Sequence, residues 1–248
     1  FPALYALAYR RLLPERFAVV GVARTEQTTR QFVSAMRAGV KQYARDPYRA
    51  DVWESLAAGV RYVSTDFAGD AGQDRVGEVL DELARTRGTG GNRLHYLAVP
   101  PQAFETVLRE IGERREREGG WTRVIVEKPF GHDLESARSL TTSVRRWFAE
   151  DEIFRIDHYL GKETVQNMLA LRFANGIFEP IWNRQFVDHV QITVAESMGI
   201  EGRAGLYERA GAIRDIFQNH LLQLLALTAM EPPIDFTVAN DRSPVIRL

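Results

Sequence analysis

The chain has no cysteine among its 248 residues, which excludes a disulfide framework, thiolate catalysis and a cysteine-ligated zinc site. It has no excess of either charge. Its 32 Lys and Arg against 33 Asp and Glu leave a net −1, so neither a nucleic-acid nor a membrane surface is indicated. Basic pairs such as Arg114-Arg115 and Arg145-Arg146 read as solvated helix faces. No apolar run is long enough to span a bilayer, and the stretch from Leu221 to Met230 is interrupted by Gln223 and Thr228. The opening Phe1-Pro2-Ala3-Leu4-Tyr5 has neither an initiator Met nor the basic start of a secretory signal. It reads as the middle of a helix, so the chain is expected to begin partway through a protein. The 45% hydrophobic and 26% charged residues that remain are those of an ordinary soluble globular protein, one large domain or parts of two.

From Phe17 to Phe130, strand-like and helix-like runs alternate. Phe17 to Ala23 is a short continuous apolar run, the pattern of a strand buried on both faces. A helical pattern over Glu26 to Arg45 follows, then strands at Arg61–Asp66, Leu94–Val99 and Val124–Glu127. Between them stand helices at Asp74–Arg87 and Gln102–Glu118, and Asp133 is placed to N-cap a helix running to Ala149. Such alternation implies a mostly parallel sheet with crossover helices. After about Ile156 the rhythm changes. The alternating run Val187–Val194 predicts a half-buried antiparallel strand, Gly199 to Gly211 is a polar connection, and Ala212 to Met230 reads as an apolar helix. On that helix Ile213, Phe217, His220, Leu224 and Leu227 fall on one stripe, which reads His220 as a buried, hydrogen-bonded histidine.

The segment Arg155-Ile156-Asp157-His158-Tyr159-Leu160-Gly161-Lys162-Glu163 is the most informative in the chain. If Asp157 to Arg172 is helical, His158 and Lys162 stand one turn apart on one face. With the Tyr159 hydroxyl beside them they make a clamp for a phosphate, and Asp157 is left for a second task. The run resembles the active-site signature of the glucose-6-phosphate dehydrogenase family, and so does its continuation from Thr164 to Asn175. Three further stretches resemble that family: Tyr96-Leu97-Ala98-Val99-Pro100-Pro101, Glu127-Lys128-Pro129-Phe130-Gly131, and the Ile213-Arg214-Asp215 to Gln218-Asn219-His220 block.

The resemblance implies an α/β fold, a Rossmann-like doubly wound domain over residues 1–156. The start of an α+β domain with a large antiparallel sheet would occupy 157–248. It implies oxidation of D-glucose 6-phosphate to 6-phosphoglucono-δ-lactone with NADP, the first step of the pentose phosphate pathway, by a cytoplasmic dimer or tetramer. His220 would be the base and Asp157 its partner. His158, Tyr159 and Lys162 would hold the 6-phosphate, with Glu196 and Asp215 on the sugar hydroxyls. Lys128 would bridge coenzyme and sugar beside Pro129. An arginine after the second strand of a doubly wound fold can accommodate the 2′-phosphate of NADP. Arg24 stands there with no acid before Glu26, and the resemblance makes it the 2′-phosphate ligand with Thr25 as a second donor.

The chain departs from the family in three places. No glycine precedes Gly21, so the family's glycine-rich turn and the strand before it are missing. In the strand order 3-2-1-4-5-6 that strand is central, so the strands at Phe17 and Leu94 are each expected to present an unpaired edge. Ser197-Met198-Gly199 replaces the more usual Pro-Phe-Gly, and the tail from Val238 to Pro244 differs from the family's helix start, as in a truncated product. A chain that keeps its sugar-phosphate groups but cannot hold coenzyme, and so does not catalyse, is the competing reading.

Overall fold

The computed structural model describes residues 1–65, 70–99, 103–115, 119–128, 130–131, 133–195, 199, 208 and 211–232. The chain divides into two compact units, Phe1–His95 with Gln102–Arg123, and Tyr96–Pro101 with Val124–Leu248.

In the first unit α1 (Pro2–Tyr9), α2 (Thr29–Tyr43) and α3 (Ala50–Ala58) pack beside the parallel strands β1 (Val19–Ala23) and β2 (Val60–Ser64). Proline suits the first helical position of α1, whose N–H would have no partner there. α2 begins where Thr28 and Gln31 form a reciprocal capping box. The core joins Tyr5, Val40, Trp53 and Leu56, none more than 3% exposed. The Tyr5 hydroxyl donates to the Pro47 carbonyl at 2.9 Å and accepts from the Arg49 N–H at 2.7 Å, so its polar end is satisfied although the residue is buried. A Cβ on Gly21 would stand 2.6 Å from the Phe32 ring, so a glycine lets α2 lie this close to the strand. α4 (Asp70–Arg87) and α5 (Phe104–Arg115) complete the described helices of this unit.

The second sheet runs β3 (Arg93–Leu97), β4 (Thr122–Glu127), β5 (Ile153–Ile156) in that order. β4 and β5 are parallel, in register from Val124↔Ile153 to Glu127↔Ile156, and α6 (Leu134–Trp147) connects them. Asp133 caps α6 as expected, in a box with Ser136. Ahead of it Gly131 has φ +95°, and a Cβ there would meet the Ala137 nitrogen at 2.5 Å, so only glycine fits. α7 (Glu163–Phe173), a π-helix (Ile213–Leu221) and α8 (Leu222–Ala229) follow. The buried Arg172 of α7 donates to the Leu227 and Met230 carbonyls at 2.6 and 2.8 Å, and Trp182 donates to the Thr228 carbonyl at 2.9 Å. These bonds satisfy the last carbonyls of α8 and fix the helix that continues from the π-helix.

The α/β architecture with parallel pairing stands. Among the described residues β1 pairs with β2 and β3 with β4, in separate sheets, as expected without a central strand. β1 is therefore half-buried along its length rather than buried on both faces. Among the described residues the helix α3 and the strand β5 escaped the sequence reading. The expected antiparallel strand over Val187–Val194 does not form. Among the described residues no ladder partner lies beside it, and an extended segment without one leaves its backbone groups to water.

Candidate active site

The site grows from the ends of two adjacent strands. Because Glu127 and Ile156 are register partners, the next residues, Lys128 and Asp157, leave the sheet side by side at its carboxyl edge. That edge is where open α/β sheets bind ligands.

Asp157 then stops the helix that the sequence predicted from that position. Its Oδ1 accepts the Tyr159 N–H at 3.0 Å, and three successive turns close Leu160 on Asp157, Gly161 on His158 and Lys162 on Tyr159. A carboxylate bonded to the backbone two residues on competes with helix formation. α7 begins only at Glu163, with Lys162 at its N-cap. His158 and Lys162 thus flank Tyr159 from a turn rather than from one helix face.

His220 arrives from the π-helix, 1% exposed. Its Nδ1 lies 3.0 Å from Asp157 Oδ1, and its Nε2 lies 2.8 Å from Lys128 Nζ. Lys128 also reaches Asp215, at 3.0 Å from Oδ1. The partners set the tautomer: an ammonium can only donate, so Nε2 accepts, and Nδ1–H donates to the carboxylate. Tyr159, 6% exposed, stacks on the imidazole at 3.9 Å and 15° between planes. His158 meets it edge-on at 4.8 Å, and Lys162 Nζ lies 3.6 Å from the centre of the Tyr159 ring.

Burial holds the His220 imidazole below its ordinary pKa, and the nearby Lys128 adds to the lowering. Asp157 opposes both, while His158 lowers it further. The outcome is a neutral imidazole aligned by a carboxylate. Asp157, His158 and His220 also bring ligand-type atoms within 4.8 Å of one another. Both nitrogens of His220 are engaged, one by a cation, so His220 has no lone pair left for a metal ion.

The expected stripe of Ile213, Phe217, His220, Leu224 and Leu227 holds only in part: His220 and Leu227 are buried, whereas Ile213 is 73% and Phe217 51% exposed. A π-helix closes i→i+5 bonds, so residues spaced for 3.6 per turn drift off one face. Arg24 and Thr25 lie in the first unit, in the bend after β1, with both side chains exposed. Their carbonyls accept from Ser64 Oγ at 3.4 Å and from the Tyr62 hydroxyl at 2.7 Å, which fixes the backbone. Glu196 and Pro129 lie outside the described residues, as does His132. Of the other histidines, His189 is exposed beside Asp188, and His95 is held neutral, its pKa lowered to about 4 by burial and then by Arg93. Tyr96 at the end of β3 bonds to the Glu127 carboxylate, and burial with this bond pushes its phenol up to about 12. The sequence did not reveal the direct Lys128–His220 contact or the Tyr159 stack. The register of β5 against β4 would have been the signal for the first.

Residues 1–167 match the family described as glucose-6-phosphate dehydrogenase, NAD binding domain, and residues 169–245 match the C-terminal domain of the same family. Glucose-6-phosphate 1-dehydrogenase 2 of Mycobacterium bovis is 52% identical over 250 residues, covering 100% of this chain and 49% of that protein. Glucose-6-phosphate 1-dehydrogenase of Aggregatibacter actinomycetemcomitans is 45% identical, over 100% and 50%. A solved structure of glucose-6-phosphate dehydrogenase in complex with its substrate glucose-6-phosphate superposes with a TM-score of 0.84 at 38% identity, over 95% of this chain and 49% of that one. The chain spans about half the length of the curated relatives it matches. A nicotinamide-dinucleotide-binding domain, a second domain from the same enzymes and this degree of identity agree with the carboxylate–imidazole–ammonium cluster: the chain belongs to the glucose-6-phosphate dehydrogenase family.

Proposed function

We propose that the chain carries the central active-site residues of an NADP-dependent glucose-6-phosphate dehydrogenase. The observation that carries the reading is the His220 imidazole, oriented by Asp157 at one nitrogen and with its other nitrogen free to accept a proton once Lys128 yields to a hydroxyl. His220 takes the proton of the C1 hydroxyl of glucose 6-phosphate as C1 loses hydride and becomes the carbonyl carbon of 6-phosphoglucono-δ-lactone. Nicotinamide, when bound, supplies the hydride acceptor. Asp157 keeps Nδ1 protonated and stabilises the imidazolium, the carboxylate–histidine logic of hydrolytic triads without a protein nucleophile. General-base help of this kind contributes about two to four orders of magnitude in rate.

His158, Tyr159 and Lys162 hold the 6-phosphate, and Asp215 and Glu196 accept hydrogen bonds from sugar hydroxyls. Lys128, released from His220, bridges sugar and coenzyme beside Pro129. Arg24, with Thr25, suits the 2′-phosphate of NADP: an exposed guanidinium stands on a pinned backbone with no acid before Glu26. No residue of this chain is assigned to the pyrophosphate. The reading takes 1–156 as the coenzyme-binding part and 157–248 as the start of the substrate-binding part; the family matches divide the chain a little later, between residues 167 and 169. It also takes the protein to be a cytoplasmic homo-oligomer, on family membership alone. Among the described residues no helix is long and apolar enough to cross a membrane.

The test is His220→Asn in the full-length protein, read as coenzyme reduction with glucose 6-phosphate. Turnover should collapse while glucose 6-phosphate affinity stays nearly intact. A rate within about tenfold of wild type rejects the role, since a general base contributes about a hundredfold or more. Glucose 6-phosphate binding without coenzyme reduction in the unsubstituted protein would favour a non-catalytic sugar-phosphate binder.

A further inference from the structure

Tyr159 has a neighbour on each face of its ring. His220 lies parallel to it at 3.9 Å, and the Lys162 ammonium stands 3.6 Å from its centre. An imidazole stacked that closely fills the space above the ring, so the ammonium occupies the opposite face. The order is ammonium, phenol ring, imidazole. The face of an aromatic ring is its negative region and attracts a cation. A cation on the outer face polarises the ring outward and weakens the inner face for a second cation.

We infer that Tyr159 is a positioning residue whose ring couples the charge of Lys162 to the proton affinity of His220. With Lys162 on the ring, the imidazole is kept neutral. When Lys162 turns to an anionic phosphate, the freed ring stabilises imidazolium on its inner face. The inference rests on the proposed roles of His220 and Lys162, and it adds that the phosphate end of the substrate is sensed by the base. A sugar lacking phosphate leaves Lys162 on the ring and meets a weaker base.

Among the described residues, the other charged or titratable groups facing the imidazole are Lys128 from the end of β4, and Asp157 and His158 from the turn after β5. Asp215 of the π-helix acts on it through Lys128. All of these remain in place when only residues 159 and 162 are changed, so the path through the ring can be isolated.

The experiment is a nitrogen NMR titration of His220 in the full-length protein without coenzyme or sugar. Lys162→Met should raise the His220 midpoint by about half a pH unit, the order of an exposed cation–π contact. Tyr159→Phe keeps the ring and should show the same response to Lys162→Met. Pentafluorophenylalanine at position 159 keeps the shape but reverses the charge distribution of the ring, and there the response should vanish. An unchanged midpoint in the Lys162→Met protein overturns the inference. So does an equal response with the fluorinated ring, because the effect would then be through-space Coulomb repulsion between the two cations. Failure of His220 as the base would appear in the turnover of His220→Asn and would leave these midpoints unaltered.

Discussion

The bend after β1 and the turn after β5 each follow the last residue of a parallel strand, yet they are built in opposite ways. In the bend the protein holds the backbone, through Ser64 and Tyr62, and leaves Arg24 and Thr25 exposed. In the turn it holds the side chains: Asp157 is tied to His220 and to the Tyr159 N–H, and His220 is fully buried. A base has to be aligned before its substrate arrives, because alignment is its contribution to rate. A charge that pairs with a ligand phosphate can wait in water at a fixed backbone position. Changes to the held side chain of the turn, Asp157, should therefore strike turnover, whereas changes to the exposed His158 and Lys162 of the turn, and to the bend, should alter ligand binding.

Asp157→Asn is the strongest way to break this contrast. The amide removes the negative charge beside the imidazole, so turnover should fall by about a hundredfold or more with little change in glucose 6-phosphate affinity. Near-normal turnover would mean that the turn aligns nothing. His158→Ala or Lys162→Ala should weaken glucose 6-phosphate binding by about tenfold to a hundredfold, from the loss of one charge-assisted hydrogen bond. Unphosphorylated glucose should be affected much less; equal losses for both sugars remove these residues from phosphate recognition. In the bend, Arg24→Ala should lower the efficiency ratio of NADP to NAD by about tenfold while leaving turnover with NAD close to normal. An unchanged ratio rejects the assignment.

The smallest effect compares two imidazoles. His220 has a carboxylate to support its protonated form, whereas His95 has only burial and Arg93 acting on it, both lowering its pKa, to about 4. A group whose folded pKa is depressed binds fewer protons folded than unfolded, so its contribution to stability is complete above about pH 6.5 and is lost as pH falls toward 4. His95→Gln should flatten the fall of melting temperature across that window relative to wild type. A parallel fall in both proteins would show that His95 does not titrate there.

The strands and caps of the α/β region were legible because their signals are local. Val19 to Ala23 and Val124 to Glu127 are apolar runs bounded by breakers, and Asp133 lies where a cap belongs. β5 was hidden because Ile153-Phe154-Arg155-Ile156 is short and carries a charge, and only its pairing with β4 makes it a strand. The helix expected from Asp157 failed through a competition the pattern does not weigh, the aspartate bonding its own turn. The identities of His220, Asp157, Lys128 and Tyr159 could be picked out by family resemblance. Their contacts could not, since they depend on strand register and on the π-helix.

That π-helix has a consequence for insertions and deletions. Each of its turns holds more residues than an α-helical turn, so Ile213–Leu221 can lose one residue by relaxing to ordinary helix. α8 beyond it would stay fastened by Arg172 and Trp182. The relaxed turns would absorb the missing residue, so the residues on either side of the deletion would keep nearly the same faces. Deleting Gln218 should thus leave a folded protein, judged by its melting transition, in which Asp215 and His220 still converge on Lys128 and part of the turnover survives. Here the wider turns let the helix that carries the base tolerate a change in residue number that an ordinary helix would not.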